Sequence, residues 1–206
     1  MAERIALVDY GAGNLRSVHN ALVAAGAEDV AVTDDPAIVR AADRIVLPGV
    51  GAFAACRNAL ATLPGMVEAI EDVAIRAGHP FLGICVGMQL MADAGEEHGR
   101  HPGFGWIGGT VRRLAPADPS LKIPHMGWND VQAAPGHDLL VPGEAYFLHS
   151  YAFEVADPGQ RIAVTDHGGP ITAAIGRDNL IGVQFHPEKS QAYGLGFLAR
   201  FLKWRP

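Results

Sequence analysis

The feature that most constrains the fold is an alternation in the first half of the chain. "RIALVDY" reads as a strand, "NLRSVHNALVAAG" as a helix closed by Gly26, and "DVAVT" as a second strand. "PAIVRAA" starts a short helix at a proline, and "RIVLPG" is a third strand. Helical stretches follow around 52–61 and 65–77, and then the apolar run Phe81-Leu82-Gly83-Ile84. Such alternation predicts parallel strands joined by helices that cover both faces of the sheet. The expected class is α/β, with a mixed, mostly parallel central sheet flanked by helices. Ligands of such sheets bind outside the carboxyl ends of the strands. Three loops leave those ends: "DYGAGN", "LPGVGAF" and "GICVG".

The second half changes character. "GWIGGTVRRL", "MGWNDVQAA", "AYFLHSYAFEV", "RIAVTDHG" and "TAAIGRDNLIGVQF" are strand-like, with "GRDN" as a hairpin turn, and "YGLGFLARFLKW" is a closing amphipathic helix. These strands are expected to extend the same sheet, partly antiparallel. The 206 residues suffice for one α/β domain, 1–206, with a single core.

Composition removes several function classes. No apolar run approaches the ~20 residues of a membrane span, and the start of the chain has no signal-peptide pattern. Two cysteines are too few for a disulfide framework, and a reactive thiol suits a reducing cytoplasm, the expected location. A net charge of −6 with scattered Lys and Arg gives no support to nucleic-acid binding. Nine histidines raise the question of a metal, but H-E-x-x-H and C-x-x-C are absent and "EEHGRH" reads as a solvated loop, so neither a metal nor a cofactor is expected. "DYGAGN" lacks the third glycine of a dinucleotide fingerprint, where Arg16 stands.

Chemistry concentrates at "FLGICVGMQL". Cys85 sits where an apolar strand meets Met88, Leu90 and Met91, which have the spacing of one helix face. Gly83-x-Cys85-x-Gly87 has the form of a nucleophile elbow with sulfur in place of hydroxyl. The helix start favours a thiolate; a buried structural cysteine fits the same five residues. A nucleophilic thiol needs a base and a group to orient it. In "GVQFHPEKS", His186 and Glu188 are i and i+2 on extended backbone and face the same way, so Glu188 can steady the imidazole. His149 in "FLHSY" is a rival base and equally a candidate core histidine. An oxyanion hole would draw on the Val86 amide and on Val50 and Gly51 in "LPGVGAF", where Gly49 and Gly51 let the Val50 amide turn. Cys56 has no base beside it in sequence and reads as packing.

"GICVGMQL", "PGVGAF" and "QFHPEKS", in this order, resemble the class I, triad-type glutamine amidotransferases. "DYGAGNLRSV", "PHMGWN" and "YFLHSYAF" extend the resemblance from about Asp9 to Ser190, toward the branch that serves imidazole glycerol phosphate synthesis. Val86 departs from the leucine expected in the elbow. The resemblance implies a flavodoxin-like fold and a glutaminase. Cys85 would attack the glutamine side-chain amide, His186 protonate the departing ammonia, and Glu188 orient His186. Gln89, Glu97 and the backbone amides of Ser150 and Tyr151 would hold substrate. Ammonia would pass to a (β/α)8-barrel cyclase subunit in a heterodimer, faced by Asn14, Trp128, Tyr146 and Lys189. Docking and ligand would turn the Val50 amide into the oxyanion hole. A glutaminase serving anthranilate, aminodeoxychorismate or GMP synthesis remains a rival, as does a non-catalytic redox-thiol or scaffold relative.

Overall fold

A computed structural model of the chain describes residues 3–206. In chain order the first half runs β1 (Arg4–Val8), α1 (Leu15–Ala24), β2 (Asp29–Thr33), α2 (Pro36–Arg40), β3 (Arg44–Gly49), α3 (Phe53–Ala61), α4 (Met66–Glu71), β4 (Phe81–Cys85) and α5 (Val86–Gln89). A π-helical turn, Asp72–Arg76, continues α4. The second half comprises β5 (Ala94–Gly95), β6 (His101–Pro102), β7 (Gly109–Arg113), β8 (His125–Ala133), β9 (Gly143–His149), β10 (Tyr151–Val155), β11 (Arg161–Asp166), β12 (Pro170–Arg177), β13 (Leu180–Val183) and α6 (Gln191–Lys203).

A nine-stranded sheet in the order β2-β1-β3-β4-β13-β12-β11-β8-β9 forms the centre. Strands β2, β1, β3, β4 and β13 pair in parallel, and β12, β11, β8 and β9 continue antiparallel. The composition of each strand follows its place. β3, β4 and β13 are buried throughout and, after Arg44 at the start of β3, read as apolar runs, as parallel strands covered on both faces must. β2, at the edge, is exposed at Asp29 and Val32 and buried only at Thr33. Local chemistry sets several helix ends. The Asp35 carboxylate accepts from the Ala37 amide at 2.8 Å ahead of Pro36, and Gly26 takes φ +107° just past α1.

Two expectations need correction. The later strands do not all join one sheet: β10, β7, β5 and β6 form a separate four-stranded sheet. "AYFLHSYAFEV" is therefore two strands, broken at Ser150, where the chain leaves β8 for β7. The helix after Cys85 is a single turn, although Met88, Leu90 and Met91 are fully buried as their spacing implied. "GRDN" does form the turn between β12 and β13, with Asp178 at φ +52°. No helix among the described residues is long and apolar enough to cross a membrane.

Candidate active site

Cys85 ends β4 and precedes α5 with φ 54° and ψ −110°, a conformation that L-residues seldom hold. Its two glycine neighbours are required by space. A Cβ on Gly87 would collide with the Leu47 carbonyl of β3, and one on Gly83 would sit 2.7 Å from the Gly87 carbonyl carbon. The elbow can thus turn this tightly only if both side chains are missing. Cys85 stands at the carboxyl end of β4, the strand beside β13, and lines a cavity there.

β13 runs out beside it into Gln184-Phe185-His186. His186 Nδ1–H donates to Glu188 Oε1 at 2.9 Å, and both side chains are almost completely buried. Burial alone would push the ring down. The Cys85 sulfur and the Glu188 carboxylate beside it outweigh that and hold His186 up at about 10, from an ordinary 6.5. The ring is therefore braced by Glu188 on one side and lines one cavity with the sulfur on the other. His149 is not an alternative base. Its Nδ1 donates to the Tyr151 carbonyl at 3.0 Å and its Nε2 accepts from His125 Nδ1 at 2.9 Å. Burial lowers it to about 3, so it stays neutral and fully engaged.

A cavity of about 270 Å³ opens over the sulfur. Val50, Gly51, Val86, Gln89, Glu97, Ser150 and Tyr151, named from the sequence as oxyanion or substrate positions, all line it with Cys85, His186 and Lys189. Gly51 takes φ +100°, which its lack of a side chain allows. The Val50 carbonyl accepts from the Cys56 thiol at 3.4 Å, and the Pro48 carbonyl accepts from the Tyr10 hydroxyl at 2.6 Å. Both groups are buried, and burial pushes both up, so they remain neutral donors. "DYGAGN" thus serves as a prop for the neighbouring loop through Tyr10. Glu97 Oε2 accepts from the Phe53 amide at 2.8 Å, capping α3 from a loop remote in sequence. That bond carries its carboxylate to the cavity wall.

The four residues assigned to a docking face do not line up equally. Trp128 is 47% exposed and meets Tyr146 edge-to-face at 6.1 Å; the two are paired residues of β8 and β9. Lys189 Nζ lies 5.7 Å from the Tyr146 ring centroid. Asn14 is exposed ahead of α1, with no side-chain capping bond, and lies outside the cavity lining.

The model for "Glutamine amidotransferase class-I" matches residues 6–203. The chain belongs to that family. Among curated relatives, the "Imidazole glycerol phosphate synthase subunit HisH" of Zymomonas mobilis is 62% identical, over 98% of this chain and 96% of its own length. The protein of the same name from Rhodospirillum rubrum is 59% identical, over 98% of this chain and its entire length. A solved structure described as glutamine amidotransferase superposes with a TM-score of 0.75 at 15% identity, covering 97% of this chain and 99% of the other. That likeness concerns the fold, which is the mixed α/β architecture expected from the alternation.

Within this amidotransferase, three positions that sequence reasoning passed over stand at the site. Gln184 is completely buried beside Cys85, its signal a lone polar residue in the run "LIGVQF". His125 is buried against His149. Met126, 66% exposed, shares the outward face of β8 with Trp128, which strict alternation along "HMGWND" would have indicated.

Proposed function

We propose that this chain is the glutaminase subunit of an imidazole glycerol phosphate synthase, a single amidotransferase domain over 1–206. The names of its relatives support the pathway. The observation that carries the chemistry is the buried His186–Glu188 pair, 2.9 Å apart, set against a strained elbow cysteine in one cavity.

In the first step Cys85 gives its proton to His186. The thiolate attacks the side-chain carbonyl carbon of glutamine, and the carbonyl oxygen takes the negative charge toward the Val86 amide and the Val50–Gly51 loop. Collapse breaks the C–N bond while His186 delivers its proton to the nitrogen, which leaves as ammonia. A γ-glutamyl thioester remains. Water, giving its proton to His186, attacks the thioester; the second collapse expels the Cys85 thiolate and frees glutamate. Gln89, Glu97 and the backbone at Ser150 and Tyr151 hold the amino-acid end of the substrate.

The ammonia passes to a cyclase subunit with a (β/α)8 barrel, which docks on the rim formed by Met126, Trp128, Tyr146 and Lys189, with Asn14 at its margin. The Val50 carbonyl, bonded to Cys56, defines one setting of the oxyanion loop. Docking together with the cyclase's nucleotide ligand turns that loop so that the Val50 amide completes the hole.

Glutamate release from glutamine tests this, measured for the chain alone, with the cyclase subunit, and with cyclase plus its nucleotide ligand. The expected rate rises steeply only in the last mixture and vanishes in Cys85→Ala. A rate indifferent to that cyclase would move the ammonia acceptor to another synthase. No glutamate in any mixture would return Cys85 to a structural or redox role.

A further inference from the structure

The nucleophile has a neighbour besides His186. Gln184 Nε2 lies 3.5 Å from Cys85 Sγ, and the Gln184 side chain is fully buried. Which end of that amide faces the sulfur is set by a chain of bonds. Gln89 Nε2 donates to the Tyr151 carbonyl at 3.0 Å, which only a nitrogen can do. The same nitrogen lies 3.0 Å from Gln184 Oε1, so that atom must be the acceptor. The Gln184 NH2 group is then left pointing at Cys85. Both hydrogens of the Gln89 amide are spent on Tyr151 and Gln184, and its Oε1 is the group left to meet a ligand in the cavity.

We propose that Gln184 is a further catalytic residue: its amide N–H donates to the Cys85 sulfur whenever that sulfur is a thiolate, and its carbonyl locks Gln89 in the orientation that receives substrate. This rests on the glutaminase reading above and deepens it. An N–H donor favours the anion far more than the neutral thiol or the thioester. Its effect therefore falls on the two states in which sulfur carries charge, the attacking thiolate and the thiolate expelled in the second collapse. No proton leaves Gln184; the proton of the thiol goes to His186 throughout. The link to Gln89 makes one buried strand position serve both the nucleophile and the wall of the substrate cavity.

Two variants separate this role from packing. Gln184→Glu keeps volume and the oxygen that receives Gln89, and puts a carboxylate oxygen where the donor was. Gln184→Leu removes donor and acceptor together. The rate at which iodoacetamide alkylates Cys85 at pH 7, read by mass spectrometry on the intact chain, reports the thiolate without reference to turnover. The expected result is at least a ten-fold slower alkylation in both variants, each still folded, with the melting temperature lowered more in Gln184→Leu, where the Gln89 N–H loses its acceptor. With cyclase and its nucleotide ligand present, kcat falls in both, whereas KM for glutamine rises in Gln184→Leu and much less in Gln184→Glu. Wild-type alkylation rates in folded variants would overturn the role of Gln184 and leave the glutaminase reading intact. Slowed alkylation in the variants with no glutamate release by the wild-type mixture would leave the Gln184–sulfur bond standing and overturn the glutaminase reading.

Discussion

Acid should destabilise this chain through two buried histidines, and the loss can be worked out. The side chains form a one-way chain of bonds: Asn129 Nδ2 to His125 Nε2 at 3.0 Å, His125 Nδ1 to His149 Nε2 at 2.9 Å, and His149 Nδ1 to the Tyr151 carbonyl at 3.0 Å. Each ring uses its single N–H and its single lone pair, so adding a proton to either would set N–H against N–H. Burial keeps His125 down at about 4, with the charge of His167, stacked at 4.3 Å, adding to the effect, and keeps His149 down at about 3. Unfolded, both rings take up protons near 6.5, so between there and about 4 the unfolded chain binds more protons and stability falls with pH. For His125 the loss from pH 7 to pH 5 is about 2 kcal/mol, and His149 adds a similar amount, for a total of about 4 kcal/mol. His186 does not contribute to this loss. Its folded value is raised, so its stabilisation is full below about 6.5 and is lost as pH climbs through about 10. Urea midpoints of the isolated chain at pH 7, 6 and 5 measure the effect; with a slope of about 2 kcal/mol per molar, the midpoint should drop by about 2 M. His125→Gln should remove about half of the pH dependence. Equal losses between pH 7 and 5 in wild type and His125→Gln would refute the reasoning, and His149→Gln provides the same comparison from the other ring.

Three further outcomes follow from the packing. Gly87→Ala puts a methyl group into the Leu47 carbonyl and should cost about 3 kcal/mol or more, lowering the melting temperature and disordering the elbow, so that Cys85 alkylation slows as well. Arg44→Met removes the buried guanidinium that donates to the Phe201 and Trp204 carbonyls at 2.9 and 2.8 Å; leaving these bare at the end of α6 should cost about 3 kcal/mol in urea denaturation. Trp128→Ala should weaken cyclase binding by about 2 kcal/mol, or about 30-fold in Kd by calorimetry, while the melting temperature of the free chain stays put.

The parts that were legible in the sequence are the parts written locally. The alternation of β1 to β4 with their helices records a parallel sheet because every parallel crossover needs its own helix. The elbow is legible because its two glycines, the strained cysteine and the helix start all lie within five residues. His186 and Glu188 are legible because extended backbone repeats every second residue. The sheet switch at Ser150 left no such mark. β9 and β10 share one apolar alternation, and what separates them is the partner: His149 faces His125 while Tyr151 faces Arg113. Glu97 was found at the cavity only by family likeness, since the bond that holds it there runs to Phe53. Gln184 was passed over because one polar residue in a buried strand says nothing about its neighbour until β4 and β13 are laid side by side, Val183 beside Ile84.

That pairing also explains why His186 sits firmly at a strand end, where a chain would ordinarily fray. The β13 ladder stops at Val183, and the next residues are taken up by other elements. Gln184 N–H donates to the Ala173 carbonyl at 2.8 Å, and His186 N–H donates to the Tyr146 carbonyl of β9 at 2.9 Å. Ser190 closes the loop: its hydroxyl donates to the His186 carbonyl at 2.6 Å and accepts from the Tyr146 amide at 3.0 Å. Both backbone groups of His186 are thus referred to Tyr146, the residue whose ring stands beside Trp128 on the exposed rim. The position of the imidazole is therefore set by β9 more than by the strand that delivers it. A shift of β9 relative to β4 would change the distance between His186 and Cys85, because among the described residues the backbone hydrogen bonds of His186 run to β9 and to its own loop, not to the parallel half of the sheet.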